Sequence, residues 1–347
     1  MKLIITIDTE EDNWKSYSAT DNPVSNIESI PTLQKLFDKF GVRPTYLLTY
    51  PVATNPRSVE ILKRILEEGK CEIGMHCHPW NTPPFDEKAN ITARDTMLCN
   101  LPENLVNEKM SVLHETISKS FGIVPTSFRA GRWGFSSAVS RSLCLLGYKV
   151  DTSVTPFYSW KDFHGPDFSE FTPDLFRIKV SISSNQFVDS ILLEVPVTIG
   201  FLQSDFNKYQ RIRKTLYNTF ARKLRLIGMM HYLGILNRTW LSPELSDAHA
   251  MIKLAGRMVE NNFSWLNLSF HSTSLIGGQN NFVKKGEERT FLKRIEEFLM
   301  FCSSSGWESQ TLSQVANSSE IQKTPFYTIN MLPSCLNKDN VQSQFGT

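Results

Sequence analysis

The chain has 347 residues, of which 41% are hydrophobic and 21% charged, and a formal net charge of +2. That hydrophobic fraction fills a core and excludes wholesale disorder, while the near-neutral balance gives no general attraction to nucleic acid. Six cysteines (Cys71, Cys77, Cys99, Cys144, Cys302 and Cys335) lack CxxC spacing, which suits free thiols in a reducing compartment. The opening MKLIITIDTEED has neither the apolar length nor the cleavage site of a secretory signal. No apolar run reaches the roughly 20 residues of a membrane span, so the expected location is the cytoplasm.

Residues 3–7 form a short β-branched run of the kind buried on both faces of a parallel sheet, and it leads into the acidic stretch 8–12. Ile30, Leu33, Leu36 and Phe37 have helical spacing and predict a helix over 27–40, stopped by Gly41. A strand is expected at 43–50, a helix at 58–68 ended by Gly69, and a strand at 71–75. A helix over 103–121, a strand at 126–129, a helix over 137–146 closed by Gly147 and a strand at 149–152 follow. This alternation predicts βα units on a parallel sheet. Asp8, His76, His78 and Arg129 all fall at the C-terminal ends of predicted strands, where parallel sheets and barrels bind ligands.

Beyond Pro156 the pattern breaks. Residues 157–174 predict a long loop, 191–199 a strand, 206–236 a basic helix, 248–262 a helix, 265–270 a strand and 286–303 a last helix. The span from 157 to about 248 reads as an insertion into a single barrel domain covering 1–315. Residues 316–347, rich in Ser, Asn, Gln and Lys, read as a loosely ordered tail. Between Lys208 and Arg225 there are seven basic residues and no acidic one. That stretch is either an amphipathic helix packed through Leu216, Phe220, Leu224 and Ile227, or a face drawn to an anionic membrane surface or an acidic glycan.

Four clusters carry chemistry. In TIDTEED, residues 6–12, extended backbone puts Asp8 and Glu10 on one face, and crowded carboxylates there are relieved by a cation or bases, or else are solvated. In EIGMHCHPW, residues 72–80, His76 and His78 share a face and are spaced to grip one ion, as in zinc sites that leave a position open for water. In FRAGRWGF, residues 128–135, Arg129 and Arg132 flank a glycine, and a fixed guanidinium there can hold a carboxylate. In LNLSFHSTSL, residues 266–275, His271 ends an apolar strand and is placed either for proton transfer or as a hydrogen-bonded core histidine. Trp80, Trp133 and Trp160 offer flat faces for sugar rings or for simple core packing.

Taken in order, these segments resemble the motifs of the polysaccharide deacetylase family. Thr6-Ile7-Asp8-Thr9-Glu10 resembles its opening T-F-D-D-G, and Glu72 to Pro79 its histidine motif. Arg129 to Trp133 resembles its arginine motif, Asp151 and Trp160 its Asp/Trp motif, and Leu268 to His271 its closing motif. The strings HCHPWNTPP, SFRAGRWGF and DTSVTP are similar to a subgroup associated with surface-polysaccharide biosynthesis. The resemblance implies an α/β fold, a distorted (β/α) barrel of about seven parallel strands, and a divalent ion, most simply zinc. It also implies hydrolysis of an N-acetyl group on a sugar of a cell-surface polysaccharide or its precursor. Asp8 would be the general base, His271 the general acid, Arg129 the residue orienting Asp8, and Asp151 the support of His271. His76 and His78 would hold the ion. Trp80, Arg132, Trp133 and Trp160 would contact the substrate. Two departures stand out: Thr9 replaces the family's second aspartate, which leaves Glu10 as substitute ligand, and one residue separates the histidines where three are usual. The alternatives are hydrolysis of another non-peptide C–N bond, a formamide or ureide, or a glycan-binding barrel without catalysis.

Overall fold

The computed structural model describes residues 1–328 except 13, 15–16, 86–90, 182–188, 217–227 and 231–232. Its strands are β1 (Lys2–Thr9), β2 (Thr45–Leu48), β3 (Glu72–Cys77), β4 (Ser127–Ala130), β5 (Val150–Asp151), β6 (Phe176–Ser181), β7 (Asp189–Glu194), β8 (Ile199–Phe201), β9 (Arg238–Trp240), β10 (Trp265–His271), β11 (Glu308–Ser309) and β12 (Phe326–Thr328). The α-helices are α1 (Ile30–Lys39), α2 (Tyr50–Thr54), α3 (Pro56–Glu67), α4 (Glu103–Phe121), α5 (Ser137–Leu145), α6 (Phe206–Leu216), α7 (Ala248–Glu260), α8 (Glu288–Ser304) and α9 (Leu312–Ala316). The main sheet runs β10-β1-β2-β3-β4-β5-β7-β6-β12, with β11 against the start of β1. Seven of these strands, from β10 through to β7, are mutually parallel, as expected, and β6 returns antiparallel to β7.

The alternation of β1 sets two layers. Leu3, Ile5 and Ile7 pack outward with α1, α3, α4 and α8 in the main core. Ile4 belongs to a separate inner cluster with Leu47, Val150, Leu193 and Val195, closed off by Leu312 and Val315 of α9. Each such buried aliphatic side chain is worth about 1.5–3 kcal/mol. α9 seals the end at which the strands begin, where Leu312 N–H donates to Thr45 Oγ1 (3.2 Å) and Ser313 N–H to Glu72 Oε2 (3.0 Å). Above Ile4, the same face of β1 presents Thr6 and then Asp8, so the barrel turns from apolar to polar along its axis.

Helix starts follow their capping residues. Asn55 accepts from Ser58 N–H ahead of α3, Ser136 from Val139 N–H ahead of α5, and Asp247 from Ala250 N–H ahead of α7. Between β7 and β10 the barrel closes irregularly through residues 195–198. Val195 N–H donates to Asp151 O (2.8 Å), and Thr198 N–H donates to Asn267 O (3.1 Å). This seam is what distorts the barrel.

Three expectations change. Residues 317–328 are not a loose tail, since a 3-10 turn leads into β12, which pairs in parallel with β6 and sets the Tyr327 ring at a tilt against Phe176, centroids 4.7 Å apart. Residues 329–347 lie outside the described residues. The strand expected at 191–199 is divided between β7 and β8, and Pro196, lacking an N–H, lies in the break. The basic helix expected over 206–236 is described as α6 and a helical turn at 228–230, with Phe220, Leu224 and Ile227 outside the described residues, and β9 occupies 238–240 in antiparallel pairing with β8. Among the described residues no helix is long and apolar enough to cross a membrane.

Candidate metal centre

Parallel register brings the distant clusters together. Asp8 lies beside His271 across β1 and β10, and His76 beside Arg129 across β3 and β4. Glu10, His76 and His78, all buried, offer ligand atoms within 4.8 Å of one another. Glu10 Oε2 is 3.7 Å from His76 Nε2 and 3.4 Å from His78 Nε2. A tetrahedral ion about 2.0–2.1 Å from each ligand separates them by about 3.3 Å, so these spacings fit one small divalent cation.

The hydrogens of both rings are committed away from that point. His76 Nδ1 lies 3.0 Å from Arg129 O, a carbonyl that only accepts, so Nδ1 carries the proton and Nε2 keeps its lone pair. His78 Nδ1 lies 2.8 Å from Glu11 Oε1, with the same consequence. Such an acceptor behind a ligating histidine fixes its tautomer and strengthens it as a ligand. Trp14 Nε1–H donates to Glu10 Oε1 (2.5 Å), which leaves Oε2 facing the imidazoles. Burial pushes Glu10 up to about 8, against the pull of His271 and His78. A buried carboxylate in that state gains from a cation. The donor set fits a zinc-type ion.

Asp8 and His271 flank this point. Arg129, fully buried, donates from Nη1 to Asp8 Oδ1 (2.6 Å), from Nη2 to Thr6 Oγ1 (2.6 Å), and from Nε to Thr152 O (3.0 Å). Burial would raise the Asp8 carboxyl, but Arg129, His76 and His271 override it and hold it at about 2. Asp8 Oδ2 is 4.0 Å from His76 Nε2 and 3.6 Å from His271 Nε2. Burial would lower His271, but Glu244, Glu10 and Asp8 raise it to about 10, so it is cationic at neutral pH.

The support of His271 is not Asp151. Glu244 Oε2 lies 3.0 Å from His271 Nδ1, and Glu244 Oε1 accepts from the His271 backbone N–H at 2.9 Å. Asp151 instead faces Glu194 across β5 and β7, in the layer outside the barrel, and both are fully buried. Ser153 donates to Asp151 from its hydroxyl (2.7 Å) and its backbone N–H (3.1 Å), while Val154 N–H donates to Glu194 Oε1 (2.9 Å). Burial raises both acids, and the Asp151 carboxyl beside Glu194 adds to the rise of Glu194, which lies well above the usual carboxylate range. The physical reason for the exchange of roles is parity: Val150 points into the barrel, so Asp151 points out. Through Ser153, which accepts from Ala130 N–H (2.8 Å), Asp151 braces β4 and the segment that clamps Arg129.

The remaining candidates divide. Trp133 and Trp160 line both cavities beside the centre, one of about 680 Å³ and one of about 300 Å³. Arg132 lines only the smaller, held by the Tyr17 hydroxyl (2.7 Å) and by Thr96. Trp80 lines the smaller cavity, is only 8% exposed and stacks on His78 at 4.0 Å, so it also buttresses a ligand. Arg132 and Trp133 have φ of 52° and 62°, left-handed values costing about 1–3 kcal/mol each at non-glycine residues, which aim this loop into the cleft. Gly131 is required before them, because a Cβ there would lie 2.6 Å from both Cys77 O and His78 Cδ2.

Sequence reasoning missed Glu11, Glu244, Tyr158 and Trp240. Glu11 belongs to the acidic cluster, but strand alternation put it on the wrong face; β1 ends at Thr9, and the chain then swings Glu11 beside His78. Glu244 comes from a loop in the insertion and carries no local signal.

No protein-family model and no curated protein sequence matches the chain. Among solved structures it is similar to one assigned as a polysaccharide deacetylase from Mycobacterium smegmatis, at 14% identity and TM-score 0.52, covering 93% of this chain and 91% of that one. It is also similar to one assigned as a glycoside hydrolase/deacetylase from Parabacteroides distasonis, at 13% identity and TM-score 0.55, covering 91% and 70%. These likenesses establish the fold, an α/β barrel built on a mostly parallel sheet.

Proposed function

We propose that this protein is a zinc-dependent hydrolase that removes an N-acetyl group from a sugar of a cell-surface polysaccharide or its precursor. The observation that carries the reading is the meeting of Glu10, His76 and His78 at one point, flanked by Asp8 and His271, at the mouth of an aromatic-walled cleft. The names of the two solved structures support the substrate class. The buried free thiols support a cytoplasmic location and so a precursor as substrate.

Glu10, His76 and His78 would hold the ion, which when bound lowers the pKa of a water to about 7 and polarises an acyl oxygen. Asp8, ionised and tied to Arg129 through Oδ1, would offer Oδ2 to take a proton from the attacking water as its oxygen joins the acetyl carbon. His271, cationic and steadied by Glu244, gives its proton to the nitrogen as the C–N bond breaks. Acetate and a free amine leave, with protons balanced between the two residues. Trp133 and Trp160 border the point where the sugar carrying the amide would lie.

The test is acetate release from N-acetylhexosamine oligomers with zinc or cobalt supplied. The expected result is turnover that Asp8→Asn reduces by about 10²–10⁴-fold, the share typical of a general base. Absence of acetate with every divalent metal tried would overturn the reading.

A further inference from the structure

We infer that the substrate carries a carboxylate, and that Arg132 recognises it from the smaller of the two cavities beside the centre. This deepens, and rests on, the deacetylase reading above, because it names the class of sugar amide. Rings line most of that cavity of about 300 Å³. Beside His271, Phe282 stacks nearly parallel to the imidazole (5.8 Å, 14°) and Trp14 stands perpendicular to it at 4.7 Å. Beside His78, Trp80 covers the imidazole and Tyr17 lies 5.2 Å from Trp80. An acetyl group fills only a small part of this space, which lies at the lower end of the roughly 300–1,000 Å³ range of small-ligand sites. Apart from the acids and histidines of the centre, Arg132 is the one charged side chain among the described residues that line it.

The guanidinium of Arg132 is engaged through one nitrogen. Nη1 donates to the Tyr17 hydroxyl (2.7 Å) and to Thr96 Oγ1, with Ala93 O at 3.4 Å, while Nε and Nη2 have no partner among the described residues. Those two N–H groups form the edge of the fork that matches the two oxygens of a carboxylate. The chain uses the same edge in this way elsewhere. Arg141 grips Glu103 through Nε and Nη2 (both 2.6 Å), and Arg57 grips Glu28 (2.9 and 3.3 Å). No described carboxylate takes that place at Arg132. A sugar hydroxyl would use one such donor, whereas a planar carboxylate uses both, so the geometry favours an acid. The bonds at Nη1 also restrain the side chain, and a guanidinium held before binding loses less freedom on gripping its ligand. Its backbone φ of 52° is one that asparagine or glycine adopts more readily, so the loop keeps a strained cation at this point.

The experiment uses the whole zinc-loaded protein and four amides: N-acetylglucosamine, its 1-phosphate, N-acetylglucosaminuronic acid and N-succinylglucosamine. Release of free amine is followed as kcat/KM, and binding of each amide to Asp8→Asn is followed by calorimetry. One of the two carboxylates is expected to exceed the neutral amide by about 10–100-fold in both, the range that hydrogen bonds to a charged group supply. Preference for the uronic acid places the carboxylate on the sugar, and preference for the succinyl amide places it on the acyl group; either bears the inference out. Arg132→Gln is expected to erase the ratio, and Arg132→Lys to restore it in part, because an ammonium keeps the charge without the fork. Amine release at the same rate from all four, an equal gain with the phosphate, or an acid preference that Arg132→Gln leaves intact would overturn the carboxylate site and leave the deacetylase reading standing. Acid-selective binding with no amine released under any divalent metal would do the reverse. Neither binding nor release would overturn both.

Discussion

Replacing Arg129 with Met is expected to destabilise the protein by about 3–5 kcal/mol, the loss typical when one partner of a buried ion pair is removed. Arg129 is fully buried, and its guanidinium serves Asp8, Thr6 and Thr152 at once. Without it the Asp8 carboxylate is stranded 4% exposed in the upper barrel. The sign with pH follows. Asp8 is held at about 2, below its ordinary 3.8, so it contributes stability above 3.8 that is lost as the pH falls through about 2. Arg129→Met removes the largest share of that contribution and leaves those of His76 and His271. Denaturant unfolding at neutral pH checks the first number, and the double variant with Asp8→Asn is expected to recover part of the loss. A loss below about 1 kcal/mol for Arg129→Met would mean that the ion pair is solvated and that the polar floor of the barrel is wrongly drawn.

His78→Ala is expected to abolish stoichiometric zinc binding, since it removes one of three ligands that no neighbouring described side chain replaces. Glu11→Gln tests the support behind it. The amide cannot hold the imidazole proton as a carboxylate does, so affinity is expected to fall about 10–100-fold while the fold persists. Chelator competition and elemental analysis of the purified proteins measure both. Zinc retained by His78→Ala at wild-type affinity would remove the centre, and unchanged affinity in Glu11→Gln would reduce that residue to packing.

The parts of this arrangement that the sequence made legible are those set by strand periodicity. Two-residue spacing placed Asp8 with Glu10, and His76 with His78, and strand ends placed Arg129 and His271 near them. A parallel sheet followed from the alternation of short apolar runs with helices, while the number of strands, about seven, came from the family resemblance. Long-range choices were less legible. Asp151 and Glu244 are both acids after a break in the pattern, and only the closure of the barrel through residues 195–198 decides which one reaches His271. The C-terminal elements were hidden because α9 and β12 are too short to establish a period; Leu312 and Val315 contribute by plugging the barrel, which composition does not reveal.

The carboxyl pair behind β5 makes the fold itself a proton acceptor. Glu194 sits well above its ordinary 4.5 in the folded chain, so between that value and its folded-state one folding draws protons from solution. Stability is therefore fullest below about 4.5 and declines as the medium turns alkaline, by up to about 1.4 kcal/mol per pH unit until the folded-state value is passed. Glu194→Gln, which carries its hydrogen permanently, is expected to flatten that decline in metal-free protein unfolded between pH 5 and 8. Glu10 and His271 act with the same sign and remain in both proteins, so the difference between the two curves reports the coupled Asp151–Glu194 pair. Mild alkalinity would then loosen the brace on Arg129 from behind, at a distance from any ligand.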